Sequence, residues 1–511
     1  MADKKVFYTR TEINAAYKLL SNAKALANNG QKDTAENAYK QLLLQFPEYY
    51  AAHRGLAGLY IGQKRFYLAF EHLSIALGGD NLDYYSMLNL EALAFELGMF
   101  ETGRKLSADI EAVGNKLGLK KHSDVHYFNK GNLLFKTDRY QEAIVEFKKC
   151  LKSKPDSAQA ALKLIECYKR IGEYQQGLQL IEKFLSKKHK KTNEFIYMLS
   201  DFPARLITKN IHRYVTIAEK IAPKDKEERL AKLFALAKYY HANKDFKKSW
   251  GSLCEANNIV KKQIKEQYHN DSQWEKDLLK WAKNTKFKKP HTDNILETLP
   301  LYILGPSRSG KSSLEGALGW LPGLKKGFES KLLSESTSHA FNVGDRLPSG
   351  YLPFLPDDLA PEFTNFYRSA FKESADNSSI LTTTTPGLVA SVPTIVHALP
   401  NAKFIFLIRN HQDIALRMYF THYKNSNHHA YDVNWSLNYI KWYYELVDTW
   451  KKKFPDSVLT ISYESLIAEP TEQIKTILDF LDIKETVPEG LTLPDDCGFS
   501  KPYQAMLDNE T

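Results

Sequence analysis

The sequence predicts two domains of different class: an all-α solenoid of repeated helix pairs, then an α/β domain built on a mainly parallel sheet. Three observations carry that expectation. From about Thr11 to Glu275 apolar residues recur with helical period, prolines are few, and small and aromatic residues return at fixed intervals. From Leu299 onward the pattern changes to short apolar runs separated by helical stretches. Between them, from Tyr268 to Leu299, HNDSQW and KKPHTDN have the composition of a connector. The boundaries drawn on these grounds are 1–275, 276–298 and 299–511.

In the first half, Ala35, Tyr39 and Pro47 keep the same internal spacing as Ala143, Phe147 and Pro155. That spacing marks the second helix of a tetratricopeptide repeat, whose period is about 34 residues. One such period carries Tyr140 onto Tyr174 and Ala143 onto Gly177. Further copies bring Ala57, Tyr60, Ala69 and Ala76, and then Ala237, Tyr240, Phe246 and Ala256, to matching positions. Small residues suit close crossings of paired helices, and large apolar ones fill the groove between neighbouring pairs. About six or seven copies fit this period, with degenerate ones at Tyr84 to Lys116 and Thr192 to Ala222. A plain helical bundle is the alternative, and the recurring positions argue against it. Such an array presents a concave face suited to a peptide or protein partner.

In the second half, LYILG, SSILTTTTP, KFIFLIRN and VLTISY read as short buried strands. Strands alternating with helices imply a parallel sheet covered on both faces, with the active crevice in the loops after the strand ends. The stretch LYILGPSRSGKSSL, Leu301 to Leu314, is a strand feeding a glycine-containing turn and then a helix. Backbone N–H groups and the positive end of the helix dipole favour an anion there. Gly305, Gly310, Lys311 and Ser312 satisfy the Walker A spelling, so a nucleotide is the expected ligand. Arg308, Ser309, Gly310, Lys311, Ser312 and Ser313 supply one cluster of cations and donors; Arg409, at the end of its apolar run, supplies a second. The bland alternative for Arg409 is a surface cation capping a strand.

Composition narrows the partners. A formal net charge of +10 suggests something anionic, but the lysines are spread along helix faces, and nucleic acid is not expected. No apolar stretch approaches the roughly 20 residues needed to cross a bilayer, and MADKKVFYTRTE is polar throughout, so a cytoplasmic location without a membrane span is expected. Cys150, Cys167, Cys254 and Cys497 are scattered, show no CxxC spacing, and read mainly as reduced core thiols. His397, His411, His422, His428 and His429 crowd one stretch without metal-ligand spacing, so no metal is expected. His411 stands near enough to Arg409 in sequence to be considered for a donor phosphate.

On these motifs the region from about Leu299 to Ile483 resembles the sulfotransferase family, in particular bacterial proteins that fuse tetratricopeptide repeats to a tyrosylprotein-sulfotransferase-like P-loop domain. GPSRSGKSSLE is similar to the family's 5′-phosphosulfate loop at Gly305, Arg308, Ser309, Gly310, Ser312, Leu314 and Glu315, with Lys311 where threonine is common. PNAKFIFLIRNHQDIALRMYF resembles the strand and helix that contact the 3′-phosphate, matching at Pro400, Ala402, Lys403, Arg409, Asp413 and Tyr419. NYIKWYYELVDTWKKKFP and VLTISYESLIAEPTEQIKTILDFLDI resemble the later segment, with Tyr463 and Glu464 at a strand end.

The resemblance implies a sulfotransferase that takes 3′-phosphoadenosine 5′-phosphosulfate (PAPS) as donor, needs no metal, and transfers to a hydroxyl, such as a tyrosine presented by the repeats. It implies that Gly305, Ser307, Arg308, Ser309, Gly310, Lys311, Ser312 and Ser313 hold one end of the donor, and Arg409 and Arg417 the other. Arg308 and Lys311 would stabilise charge on the transferring group, and Glu329, shortly after the loop, would act as general base, with Glu335 a weaker candidate. The sequence departs from the family at three places. A lysine expected before the central helix is replaced within Thr383-Thr384-Thr385-Pro386, at Thr384; Arg417 replaces a serine; Asn410-His411 replaces Asp-Pro. Lys311 could compensate for the missing lysine.

Two rival readings remain at this point. A P-loop kinase or NTPase using ATP or GTP would need an acidic strand-end residue for Mg²⁺, and only Glu464 could serve. A repeat scaffold with an inactive nucleotide-binding domain is the other.

Overall fold

The computed structural model describes residues 9–79, 83–97, 99–119, 123–136, 139–186, 192–287, 295–327, 332–333, 336–337, 340, 359–375, 377–423 and 427–508. It divides into two compact units, Met1–Phe202 and Pro203–Thr511. No described helix is long and apolar enough to cross a membrane.

The first unit consists of helix pairs: α1 Arg10–Asn28 with α2 Lys32–Gln45, α3 Tyr50–Gly62 with α4 Phe66–Gly79, and α5 Tyr84–Glu96 with α6 Phe100–Lys116. Then follow α7 Asp124–Lys136 with α8 Tyr140–Ser153, α9 Ala158–Arg170 with α10 Tyr174–Ser186, and the short α11 Thr192–Leu199. The repeat positions explain the pairing. Ala35, Tyr39, Ala57, Tyr60, Ala69, Ala76, Ala143 and Phe147 are all buried, so the recurring small and aromatic residues form the seams. Polar caps start several helices: Thr9 and Glu12 form a reciprocal capping box at α1, and the Asp83 and Ser157 side chains accept from backbone N–H groups at α5 and α9. The degenerate stretch Tyr84 to Lys116 forms a regular pair.

The second unit opens with α12 Ala204–Ile207, α13 Ile211–Lys220, α14 Lys226–Ala242 and the 39-residue α15 Phe246–Asn284. Ala237, Tyr240 and Ala256 point inward, as the repeat template requires. α15 continues through residues that sequence composition assigns to a connector. Leu278 and Ala282 are buried in the core of the α/β half, and that apolar contact overrides the polar local composition.

Five parallel strands follow: β1 Leu299–Leu304, β2 Leu324–Lys326, β3 Ile380–Thr383, β4 Lys403–Ile408 and β5 Val458–Ser462, in spatial order β2-β3-β1-β4-β5. Register is set by Leu301 opposite Thr382 on one side and Lys403 on the other. Strand side chains alternate between two apolar layers. Tyr302, Leu304, Phe404 and Phe406 meet α17 Ala360–Ala375, α18 Val392–Ala398 and α20 Val433–Lys453. Leu301, Ile303, Ile405 and Leu407 meet α16 Lys311–Ala317, α21 Tyr463–Ala468 and α22 Pro470–Leu481. α19 His411–Tyr419 and α23 Gln504–Leu507 complete the unit. The predicted fold class, repeat helices followed by a parallel-sheet α/β domain, is the observed one. The strand missed by sequence reading, β2, has three residues, too few to show a period.

Because β1 has β3 on one side and β4 on the other, chain order reverses at β1 and β4. Such a switch point, beyond the carboxyl ends of the strands, is where open α/β sheets form their ligand crevice.

Candidate functional site

The loop after β1 and the turn after β4 meet at that crevice. Gly310, with φ of 102°, starts α16, and a Cβ at this position would lie 2.5 Å from the Tyr463 ring. Only glycine fits both the conformation and the space. Arg308 also has positive φ, 70°, its side chain is exposed, and its Nη2 donates to Thr421 Oγ1 at 3.1 Å. Ser307 Oγ and the Tyr423 hydroxyl lie 2.8 Å apart. Lys311 is buried, and its Nζ donates to the carbonyl of Pro306 at 2.9 Å. Ser312 is exposed and Ser313 half-buried on the first turn of α16.

Arg409 is 3% exposed, which removes the surface-cap alternative. Its Nη1 donates to the carbonyl of Arg308 at 3.3 Å and its Nη2 to the carbonyl of Asp496. The guanidinium carbon lies 4.2 Å from the Tyr463 ring centroid. Tyr444 holds the Arg409 backbone at both ends, accepting from its N–H at 2.9 Å and donating to its carbonyl at 3.1 Å. Arg417, at the last turn of α19, pairs with the Asp496 carboxylate, and its guanidinium carbon lies 4.5 Å from the Phe499 ring centroid. The loop and Arg409, expected at separate places, therefore adjoin, and Arg417 stands beside both.

The electrostatics of this cluster are those of crowded cations. Burial lowers the Arg417 pKa, Asp496 raises it, and Arg409 and Arg308 lower it again. Among the described residues, Ser309 Oγ, Arg409 Nε and Arg417 Nε are buried and have no hydrogen-bond partner. Three orphaned polar atoms around one crevice, two of them cationic donors, fit an anionic ligand with acceptor oxygens. Burial keeps neighbouring groups neutral: it pushes the Tyr463 phenol up to about 12 and the His411 imidazole down.

Several contributors were not legible as site residues. Asp413, 2% exposed, accepts from Gly498 N at 2.7 Å, Ser500 N at 2.8 Å and Ser500 Oγ at 2.7 Å, tying the C-terminal segment over the arginines. The Tyr463 hydroxyl donates to the Pro494 carbonyl at 2.9 Å, and the Tyr503 hydroxyl bonds His241 Nδ1 at 3.0 Å and Ser249 Oγ at 2.9 Å. The segment CGFSKPY has no periodicity, so only its tertiary partners reveal it. Glu329 and Glu335 lie outside the described residues. Thr384, at the family's lysine position, is buried. Among histidines of the crowded stretch, His428 bonds Asp271 at 2.7 Å near the surface, His429 stacks on Tyr439 with centroids 3.6 Å apart, and His422 stacks on Phe234. Cys150 and Cys167 are buried thiols whose pKa burial pushes up to about 11 and about 12.

Asp413 makes a pH prediction. Burial pushes its pKa up, but the bonds from Ser500 and Gly498 and the charge of Arg409 outweigh that and hold the carboxyl below its ordinary value. A carboxyl depressed in the folded state stabilises it above the unfolded pKa, about 3.9, and loses that contribution as pH falls through the folded value. Amide exchange at Gly498 and Ser500 is therefore expected to stay slow from pH 7 to 5, once corrected for intrinsic rates, and to accelerate only in stronger acid. In Asp413→Asn it should be fast throughout.

On the repeat face of the first unit, a cavity of about 500 Å³ is lined by Arg54, Gly58, Ile61, Asp83 and Tyr85 among others. Tyr17, Ala51 and Tyr85 recur one period of about 34 residues apart, and the two tyrosines are 64% and 77% exposed.

Comparison with known proteins agrees with this division. Residues 353–487 match a model described as the sulfotransferase family, and residues 20–83 and 134–193 match tetratricopeptide repeat models. The sulfotransferase match does not extend to the loop at Gly305 to Ser313. An uncharacterized protein of Aquifex aeolicus is 22% identical over 431 residues, covering 77% of this chain and 52% of that protein. A Caenorhabditis briggsae protein named "Putative protein-tyrosine sulfotransferase" is 26% identical over 193 residues, 36% of this chain and 65% of that one. This chain thus spans about half the length of the first relative and just under two thirds of the second. A solved tetratricopeptide repeat protein of Parabacteroides merdae is similar at 17% identity and a TM-score of 0.38, over 48% of this chain and 93% of that one. Residues 353–487 are thus similar to the sulfotransferase family, and residues 20–83 and 134–193 to tetratricopeptide repeats.

Proposed function

We propose that this chain is a cytoplasmic sulfotransferase that moves a sulfuryl group from PAPS to a hydroxyl, with a tyrosine of a peptide or protein held by the repeats as acceptor. The observation that carries the donor reading is the meeting of Arg308, Arg409 and Arg417 at one strand-end crevice, with orphaned donors on two of them. Gly305, Ser307, Ser309, Gly310, Ser312 and Ser313 would cradle the phosphosulfate end, and Arg409 and Arg417 the 3′-phosphate.

In the reaction the acceptor oxygen forms a bond to sulfur as the bond from sulfur to the 5′-phosphate oxygen breaks. The electron pair leaves with that phosphate, and the hydroxyl proton passes to a base, the role assigned to Glu329. Lys311 and Arg308 supply positive charge where negative charge grows. The engagement of Glu464 argues against the kinase alternative. Its Oε1 accepts from Asn410 N at 2.8 Å and its Oε2 from Ser462 Oγ at 3.1 Å, so the sole strand-end carboxylate considered for Mg²⁺ is tied to its neighbours. The exposed tyrosines and cavity of the repeat face support a peptide as the acceptor's carrier.

Calorimetry tests the donor. Adenosine 3′,5′-bisphosphate is expected to bind without Mg²⁺ and ATP is not; the reverse preference would overturn the proposal. With a radiolabelled sulfuryl donor and an identified acceptor, Arg308→Ala should lower turnover by about a hundredfold. Because Arg308 is exposed, its melting temperature should scarcely move.

A further inference from the structure

We propose that Asp496 is an internal counter-ion for the donor site: its carboxylate competes with the donor's terminal phosphate for Arg417 and sets how strong an anion must be to enter. The inference rests on the donor reading above.

Asp496 engages both arginines, the half-buried Arg417 through its carboxylate and the buried Arg409 through its carbonyl. The backbone around it is pinned on both sides. Pro494 is held by Tyr463, and Gly498 and Ser500 are held by Asp413. Tyr503 is anchored to His241 and Ser249 beyond them. A carboxylate on so restrained a segment meets Arg417 without the entropy that a free surface chain would lose.

The charge balance gives it work to do. Arg417 is depressed by burial and by the charges of Arg409 and Arg308, with Asp496 opposing them. Of the carboxylates nearby, Asp413 pairs with Arg409 and accepts from Gly498 and Ser500, and Glu464 accepts from Asn410 N and Ser462 Oγ; the carboxylate paired with Arg417 is that of Asp496. Asp496 is thus the acidic side chain that neutralises Arg417. A phosphate dianion brings more charge and more acceptor oxygens than one carboxylate and can displace it; a weak monoanion cannot. Displacement needs only the side chain to swing, because its exposure of 40% leaves room on the solvent side. The Asp496 carbonyl can stay on Arg409 meanwhile.

The test is a double-mutant cycle on the full-length chain, read by calorimetry with adenosine 3′,5′-bisphosphate. Asp496→Asn keeps size and backbone and removes the charge, and should tighten binding by about tenfold. Arg417→Gln should weaken binding, and in that background Asp496→Asn should change it less than twofold. Thermal melting verifies that each variant is folded, and Asp496→Ser serves as the second substitution if asparagine perturbs the segment. No tightening in Asp496→Asn, with the wild-type chain binding, overturns the inference and leaves the donor reading standing. Equal tightening with and without Arg417 also overturns it, because that is what a general change in net charge would do. Failure of the wild-type chain and every variant to bind removes the donor reading, and this inference with it.

Discussion

Replacing Arg409 by glutamine is expected to weaken binding of adenosine 3′,5′-bisphosphate by about a hundredfold to a thousandfold and to destabilise the second unit by about 2 to 4 kcal/mol. The guanidinium is nearly sealed from solvent and joins three segments that are distant in sequence. It reaches the Arg308 carbonyl of the loop, the Asp496 carbonyl of the C-terminal segment and the Tyr463 ring. Glutamine can satisfy at most part of that set, and it leaves Asp413 without the nearby positive charge, 3.7 Å away, that helps keep it ionised. Arg409→Lys separates charge from geometry. It keeps the positive charge but not the planar fork, so it should recover part of the stability and little of the binding. Calorimetric Kd values and urea denaturation, read side by side, check both. A glutamine variant with wild-type affinity would show that the anion does not bind here.

Gly310→Ala is the second large effect. A φ of 102° is strained for any residue with a Cβ, and the added carbon would sit 2.5 Å from Tyr463 Cε2. That ring cannot step aside. It is 2% exposed, its hydroxyl is fixed to Pro494 and Arg409 lies over its face. The loop must deform instead, at a cost of about 2 to 4 kcal/mol in unfolding free energy, and with it the approach of backbone N–H groups to the donor. Adding Tyr463→Leu should return the part of the loss due to overlap and none of the part due to φ. If the single variant unfolds at the wild-type urea concentration, the close approach has been misjudged.

How much of this was legible beforehand follows from the kind of signal each part carries. The repeat seams were readable because Ala35, Tyr39, Ala143 and Phe147 repeat a spacing that burial demands. The central strands were readable because β1 and β4 are buried on both faces and so run as unbroken apolar stretches. The loop was readable because Gly305, Arg308 and Gly310 stand in fixed order. By contrast, Asp413 was legible only as a match to the 3′-phosphate element of the resembled family, with no role attached, and Asp496 carried no signal. Their meaning lies in contacts about 80 to 90 residues apart along the chain, which no local period encodes. The helical continuation of α15 past Glu275 was hidden for a related reason. Its polar face dominates the composition, and the stabilising contacts, such as Tyr268 stacked on Trp435 at 3.9 Å and Trp442 Nε1 donating to the Glu275 carbonyl at 2.6 Å, come from elsewhere in the unit.

That long helix bears on how such a chain can be recombined by evolution. α14 and α15 share one apolar core with Leu416, Tyr419, Phe420, Tyr431 and Tyr503, so this helix pair is a built-in beam of the second unit and not a detachable adaptor. Shuffling that exchanges the array upstream of Pro203 leaves this beam intact. A splice at Leu299 would strip it away and bare a greasy flank next to the donor crevice. Lineages that swap repeats are therefore expected to keep this final helix pair with the α/β half.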